Sequence, residues 1–186
     1  MRSVLIRTIG PMAVAAVLLM PALAQGQEST TKRSVAQHVI DKSATISIRN
    51  VYFDRVATKN KHRINVTTVN GVVLLVGEVP DAESKDLLNH VADTTEGVRQ
   101  VVNEIRVGKV SSVGSLARNQ WIKTKIKWAF SRQEDFPSSD IVVVVSNQVV
   151  YLMGLITQGE ATRAAELAQT IKHVDRVVSI FEIKED

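Results

Sequence analysis

The spacing of apolar residues along this chain changes period repeatedly, and each change marks the end of one element and the start of another. "RINVTTV", Arg63 to Val69, places Ile64, Val66 and Thr68 on alternate positions, the period of a half-buried strand. Asn70-Gly71 follows, a pair that accepts the left-handed backbone of a two-residue hairpin turn. Beyond it, "VVLLVGEV" is apolar almost throughout and reads as the second arm of the hairpin. Pro80 and Asp81 then open a helix to about Thr94, with Leu87, Leu88 and Val91 on one face. Proline suits the first helical turn because it has no amide to leave unpaired. Gly97 breaks that period, and "VRQVVNEIRV" returns to a strand pattern.

The same order occurs twice. "VNGVVLLVGEV" from Val69 lines up with "SNQVVYLMGLI" from Ser146, placing Asn70 on Asn147 and Gly77 on Gly154. Further on, "GVRQVVNEIRV" from Gly97 matches "HVDRVVSIFEI" from His173. A helical segment precedes each hairpin, around Ala44 to Phe53 and around Ser115 to Phe130. The predicted fold is therefore α+β: two tandem α-β-β-α-β units, each a three-stranded mixed sheet with two helices covering one face. Expected boundaries are 34–108 for the first unit, 109–115 for a linker and 116–184 for the second. Gly77 and Gly154 mark points where a strand bends or another backbone comes close.

The first two dozen residues follow another rule. Arg2 and Arg7 precede an apolar run from Ile9 to Met20 and the small-residue sequence Ala22-Leu23-Ala24. That is the form of a secretory signal peptide, with cleavage expected after Ala24 and export to the periplasm. No cysteine occurs in the 186 residues, which excludes disulfides, thiolate metal sites, a cysteine nucleophile and a lipoprotein's acylated cysteine. Without Arg2 and Arg7 the 23 basic residues fall to 21 against 19 acidic ones. So nearly balanced a charge, on an exported chain, argues against a nucleic-acid partner. His38, His62, His90 and His173 stand apart, with no second ligand at metal spacing. Phosphate-binding glycine loops and nucleophile elbows are absent, so neither an enzyme nor a cofactor is expected.

"GVVLLVGEV" and "GVRQVVNEIRV" resemble the BON domain, and two such units behind an export signal resemble the dual-BON periplasmic and outer-membrane proteins. "RINVTTVNGVVLLVGE", "NEIRVG", "WIKTKIK" and "YLMGLIT" are similar to the lipid-binding lipoproteins of that family associated with division and outer-membrane stress. The resemblance spans about Arg33 to Ile183. It implies a non-enzymatic role in envelope integrity and stress tolerance, with the second unit's first helix on anionic phospholipid. The missing lipobox cysteine is a departure, and it favours a periplasmic protein peripherally attached to the membrane over a lipoprotein. The competing expectation is a protein-binding adaptor or chaperone-like module serving outer-membrane protein assembly, since small sheets with open edges can recruit strands.

Both expectations meet in "NQWIKTKIKWAF", Asn119 to Phe130, which holds both tryptophans of the chain. Ile122, Ile126 and Ala129 share the stripe expected to pack on the sheet, and Trp121 and Trp128 share another. The indoles either fold over the core's edge or face outward beside lysines, which is the composition of an interfacial helix. The expected lipid contacts are Trp121, Lys123, Lys125, Lys127, Trp128, Phe130 and Arg132. The first unit's counterpart, with Tyr52, Phe53, Arg49 and Arg55, has no tryptophan and is expected to be structural.

Overall fold

The computed structural model describes residues 4–9, 35–55 and 63–184. In chain order the elements are β1 (Val4–Ile9), α1 (Val35–Arg55), β2 (Arg63–Val69), β3 (Val72–Val79), α2 (Ala82–Asp93), β4 (Gln100–Val107), α3 (Val113–Ser131), β5 (Ile141–Ser146), β6 (Val149–Ile156), α4 (Gln158–Gln169) and β7 (Arg176–Ile183). Two compact units divide between Ser112 and Val113, and β1 belongs to the second. Each is the α-β-β-α-β unit that the hydrophobic pattern predicts. Helix α3 begins at Val113, inside the stretch expected to link the units.

Each sheet is mixed. In the first, β2 pairs antiparallel with β3 and β3 parallel with β4; in the second, β5, β6 and β7 repeat that arrangement. The second sheet also exceeds its expected three strands. Val4–Ile9 lies antiparallel on β7, from Val4 opposite Glu182 to Ile9 opposite Val177. Strand β7 would otherwise end the sheet with a row of unpaired backbone groups, and such an edge accepts any extended segment of compatible shape. The expected cleavage point after Ala24 lies outside the described residues.

Both helices of each unit pack on the same sheet face. Ile48 and Tyr52 of α1 and Leu88 and Ala92 of α2 meet Val66, Val73, Leu75 and Ile105. In the second unit Ile122, Ile126 and Phe130 of α3 join Val143, Val150, Leu152, Val177 and Phe181. Helix α4 turns Ala161, Ala164, Ala165 and Ala168 into that core, and side chains this small let the helix lie close to the strands. Its start is fixed by a capping box, in which Thr157 and Glu160 satisfy each other's backbone amides. Central strands β3 and β6 are buried at every position, which accounts for their unbroken apolar runs. At Gly77, φ is +127° and a Cβ would stand 2.0 Å from the Arg63 carbonyl oxygen; at Gly154 it would stand 2.3 Å from that of Asp140. Both glycines are there to let the neighbouring strand approach.

The hairpin turns explain how the first helix of each unit is seated. Asn70 and Gly71 both have positive φ, and so do Asn147 and Gln148, as a turn matching the sheet's twist requires. Such a turn leaves backbone amides directed away from the ladder, and a buried side chain on the first helix takes them. Asp41 of α1 accepts the amides of Asn70 and Gly71 at 2.8 and 2.9 Å. Asn119 of α3, at the equivalent position, accepts the Gln148 amide at 3.1 Å. Replacing Asn119 by alanine strands that amide and should cost about 1–3 kcal/mol, whereas Asn119→Asp should retain most of the stability. Tryptophan emission during urea unfolding measures this in the second unit alone, because both indoles lie there.

Candidate functional site

Successive residues of a helix advance by about 100°, so once Asn119 is locked to the turn the remaining directions of α3 follow. Asn119, Ile122, Ile126 and Phe130 form the buried stripe. A second stripe, displaced by roughly a third of a turn, carries Arg118, Trp121, Lys125 and Trp128, with Arg132 just past the last residue of the helix, all exposed. The indoles are well in the open, with Trp121 at 42% and Trp128 at 57% of full exposure. No acidic residue occurs in α3, so the positive charge of this stripe is not neutralised from within its own helix.

The stripe is organised as alternating cations and rings. The Lys125 ammonium lies 5.8 Å from the Trp121 ring centre and 5.9 Å from that of Trp128. The Arg132 guanidinium stands 4.7 Å over Trp128. These distances are within reach of a cation-π attraction, which limits the rotamers of long side chains without removing their charge from water. At the opposite end, His173 meets Trp121 edge-on, with ring centres 5.9 Å apart. Arg118 donates to the Gln148 side-chain oxygen at 3.3 Å, and the Gln148 amide group donates to Asp175 at 3.3 Å. The hairpin tip and the turn before β7 therefore both brace the N-terminal half of the stripe.

Of the residues expected to contact lipid, the structure brings Trp121, Lys125, Trp128 and Arg132 together. Lys123 and Lys127 lie on the other flank of α3, beyond the buried stripe. Phe130 is corrected outright: it is 1% exposed and belongs to the core, with its ring 5.1 Å from that of Phe136. Its place four residues after Ile126 puts it on the packed stripe, and its aromatic character beside Trp128 conceals this in the sequence. Lys123 is half-buried, and desolvation, followed by repulsion from Lys127, holds its pKa below the ordinary lysine value.

Two members of the face went unrecognised in the sequence. Arg118 sits three residues before Trp121, so helical spacing alone would have found it. His173 required the tertiary fold. It occupies the position of Gly97 in the first unit, and both residues have positive φ, +83° for Gly97 and +70° for His173. A residue with a Cβ in that conformation costs about 1–2 kcal/mol. The second unit bears that strain and thereby places an imidazole against Trp121.

The first unit shows that the scaffold does not itself create such a face. Ile48 and Tyr52 occupy the positions of Ile126 and Phe130, so the residues matching Trp121, Lys125, Trp128 and Arg132 are Ser43, Ser47, Asn50 and Asp54. None is aromatic or basic. Tyr52 is buried, and Phe53 is exposed with the Arg49 guanidinium 5.9 Å from its ring centre. Among the described residues no helix is long and apolar enough to cross a membrane, and no three metal-binding side chains cluster.

The model of the BON domain matches residues 53–109 and 118–185. This chain belongs to the BON-domain family. The second BON match begins at Arg118 and so takes in the whole exposed stripe, whereas the first begins near the end of α1. The outer membrane lipoprotein DolP of Haemophilus influenzae is 30% identical over 168 residues, covering 90% of this chain and 86% of that protein. The 21 kDa hemolysin of Actinobacillus pleuropneumoniae is 33% identical over 123 residues, 66% of this chain and 63% of that protein. Among solved structures, the C-terminal domain of CdsD, a structural protein of the type III secretion system of Chlamydia trachomatis, is 13% identical and covers 75% of this chain and 96% of that one. Its TM-score is 0.32, too loose a superposition to add to the family assignment.

Two outcomes test this geometry. His173→Gly should leave the stability of the second BON domain within about 1 kcal/mol, because lost packing and relieved strain oppose each other, while iodide quenching of Trp121 increases. Lys123→Met should remove a pH dependence. With its folded pKa below its unfolded one, Lys123 releases its proton first in the native state, so stability rises as pH climbs from the folded value to the unfolded one. Urea midpoints at neutral and alkaline pH should show that rise in the wild type and its loss in the variant.

Proposed function

We propose that this protein is a non-catalytic periplasmic BON protein that binds anionic phospholipid surfaces through α3 and so supports outer-membrane integrity under stress. One observation carries the reading: Trp121 and Trp128 are exposed on the same stripe as Arg118, Lys125 and Arg132. Indole seats well at the depth of lipid headgroups, and neighbouring long cationic side chains reach the phosphates from there. The relative's description as an outer-membrane lipoprotein agrees with an envelope setting. The phospholipid itself is inferred from the chemistry of the stripe.

Magnitudes decide the mode of attachment. Each cation near an anionic leaflet contributes about 1 kcal/mol, and partial burial of two indoles adds a few more at roughly 25 cal/mol per Å² of apolar area. Loss of translational and rotational freedom removes much of that sum. Attachment is therefore reversible and sensitive to salt. Lasting anchorage needs a second signal such as a pair of acyl chains, and the sequence has no cysteine to carry them.

The test is co-sedimentation of the chain from Gln25 to Asp186 with phosphatidylcholine vesicles containing increasing phosphatidylglycerol, at low and high salt. Binding should rise with the anionic fraction and fall in high salt. Trp128→Glu and Lys125→Glu should each weaken it roughly tenfold or more, since each change removes an attraction and adds a repulsion. Lys123→Glu, on the other flank, should weaken it less. A folded chain that ignores phosphatidylglycerol, or equal losses from both flanks, would sink the proposal.

A further inference from the structure

The pairing of β1 with β7 shows more than an extra strand. We propose that the outer edge of β7, from Val177 to Glu182, is a strand-addition site for an extended, β-branched apolar segment of a protein partner, and that Val4–Ile9 occupies it until the leader is removed. This rests on reading residues 1–24 as a cleaved leader; it does not depend on the lipid-binding reading.

Three observations support it. The first is the ladder itself, six consecutive antiparallel pairs from Val4 opposite Glu182 to Ile9 opposite Val177. Recognition of this kind runs through the backbone, and so calls for an extended polypeptide and not a lipid or a small molecule. The second is that the first unit completes the same fold with three strands, and the described core of the second unit is built from α3, α4 and β5 to β7. A fourth strand is therefore an addition to the unit's own sheet.

The third is the contrast with β4, the equivalent edge of the first unit. There the Asn103 side-chain oxygen accepts the Ile105 amide at 3.2 Å, and the Asn103 side-chain amide is held by the Lys85 carbonyl and by Asn89. A side chain thus occupies a backbone donor that an incoming strand would need, and Glu104 and Arg106 place charges along the same edge. Natural sheets blunt their edges by such means. In β7 the matching positions are Ser179 and Phe181, which lie opposite Arg7 and Leu5. Ile180 stands where β4 has Glu104, and although Glu182 keeps a charge at the position of Arg106, the strand from Val177 to Phe181 carries neither charge nor proline. The β4 edge is more heavily guarded than the β7 edge.

The experiment compares the full chain with the chain from Gln25, both labelled for backbone amide detection by NMR, and adds a synthetic peptide spanning Ser3 to Gly10. In the shorter chain the peptide should shift the Val177 to Glu182 amides and slow their exchange, and in the full chain it should have no effect. A peptide with Ile6→Pro and Arg7→Pro loses backbone donors in either register and should bind at least ~10-fold more weakly. Four outcomes would each overturn the proposal: a folded short chain with no response to the peptide; a response centred on Trp121 and Trp128; β7 amides already protected in a peptide-free dimer, which would make the occupant a second copy; or an intact mass showing that the exported protein keeps its leader.

Discussion

A single kind of contact decides how each BON unit is assembled: a buried oxygen acceptor on the first helix that holds the backbone of the hairpin turn. The turn needs two residues with positive φ to match the twist of its strands, and its amides, buried in the first unit and half-buried in the second, would otherwise lack partners, at a cost of up to about 1–3 kcal/mol for each. Asp41 in the first unit and Asn119 in the second remove that cost. In doing so they set the rotation of the helix about its axis. Hydrophobic packing alone tolerates small rotations, whereas a hydrogen bond of about 3 Å does not. The direction in which Trp121 and Trp128 point is therefore a consequence of where Asn119 is tied.

From that common frame the two units have diverged at the surface. Both keep the acceptor, the paired core positions and the glycine under the crossing strand. They differ where the frame is indifferent, as Ser43, Ser47, Asn50 and Asp54 stand where the second unit has Trp121, Lys125, Trp128 and Arg132. The second unit also departs from the easier backbone choice at two turns. Gln148 replaces the glycine of the first hairpin and His173 replaces Gly97, both with positive φ. Each of these side chains contacts the exposed stripe, Gln148 through Arg118 and His173 through Trp121. Local strain that coincides with a surface feature in this way is a reason to regard the feature as functional.

The fold was legible because its signals are local. Alternation in "RINVTTV", Asn-Gly at the turn and proline before a helix each act over a few residues, and the internal repeat supplied a second, independent reading of the same order. The site was legible in part. Trp121, Lys125, Trp128 and Arg132 are related by helical spacing, and so is Arg118, which the spacing contained but composition did not emphasise. Phe130 was misplaced because an aromatic next to Trp-Lys pairs suggests an interface, while the angle from Ile126 puts it inside. His173 and the β7 edge were out of reach for a different reason. An imidazole fifty residues from its ring partner, and a strand added from the far end of the chain, depend on topology that periodicity does not encode.

The two proposed surfaces of the second unit are separate in the fold, and that separation bears on how they work. Helix α3 lies over β5, at one side of the sheet, while α4 lies over β7 at the other. The Trp-Lys stripe projects from the helix layer, whereas the β7 edge runs along the margin of the sheet. A strand added to β7 would extend the sheet on the side away from β5, over which α3 lies. On the proposed reading, membrane contact and strand addition are compatible on one domain, and weak attachment is an advantage. A protein that three cations and two indoles held to a membrane would leave the surface and return to it, and would present the proposed edge to partners along the envelope instead of at one fixed place.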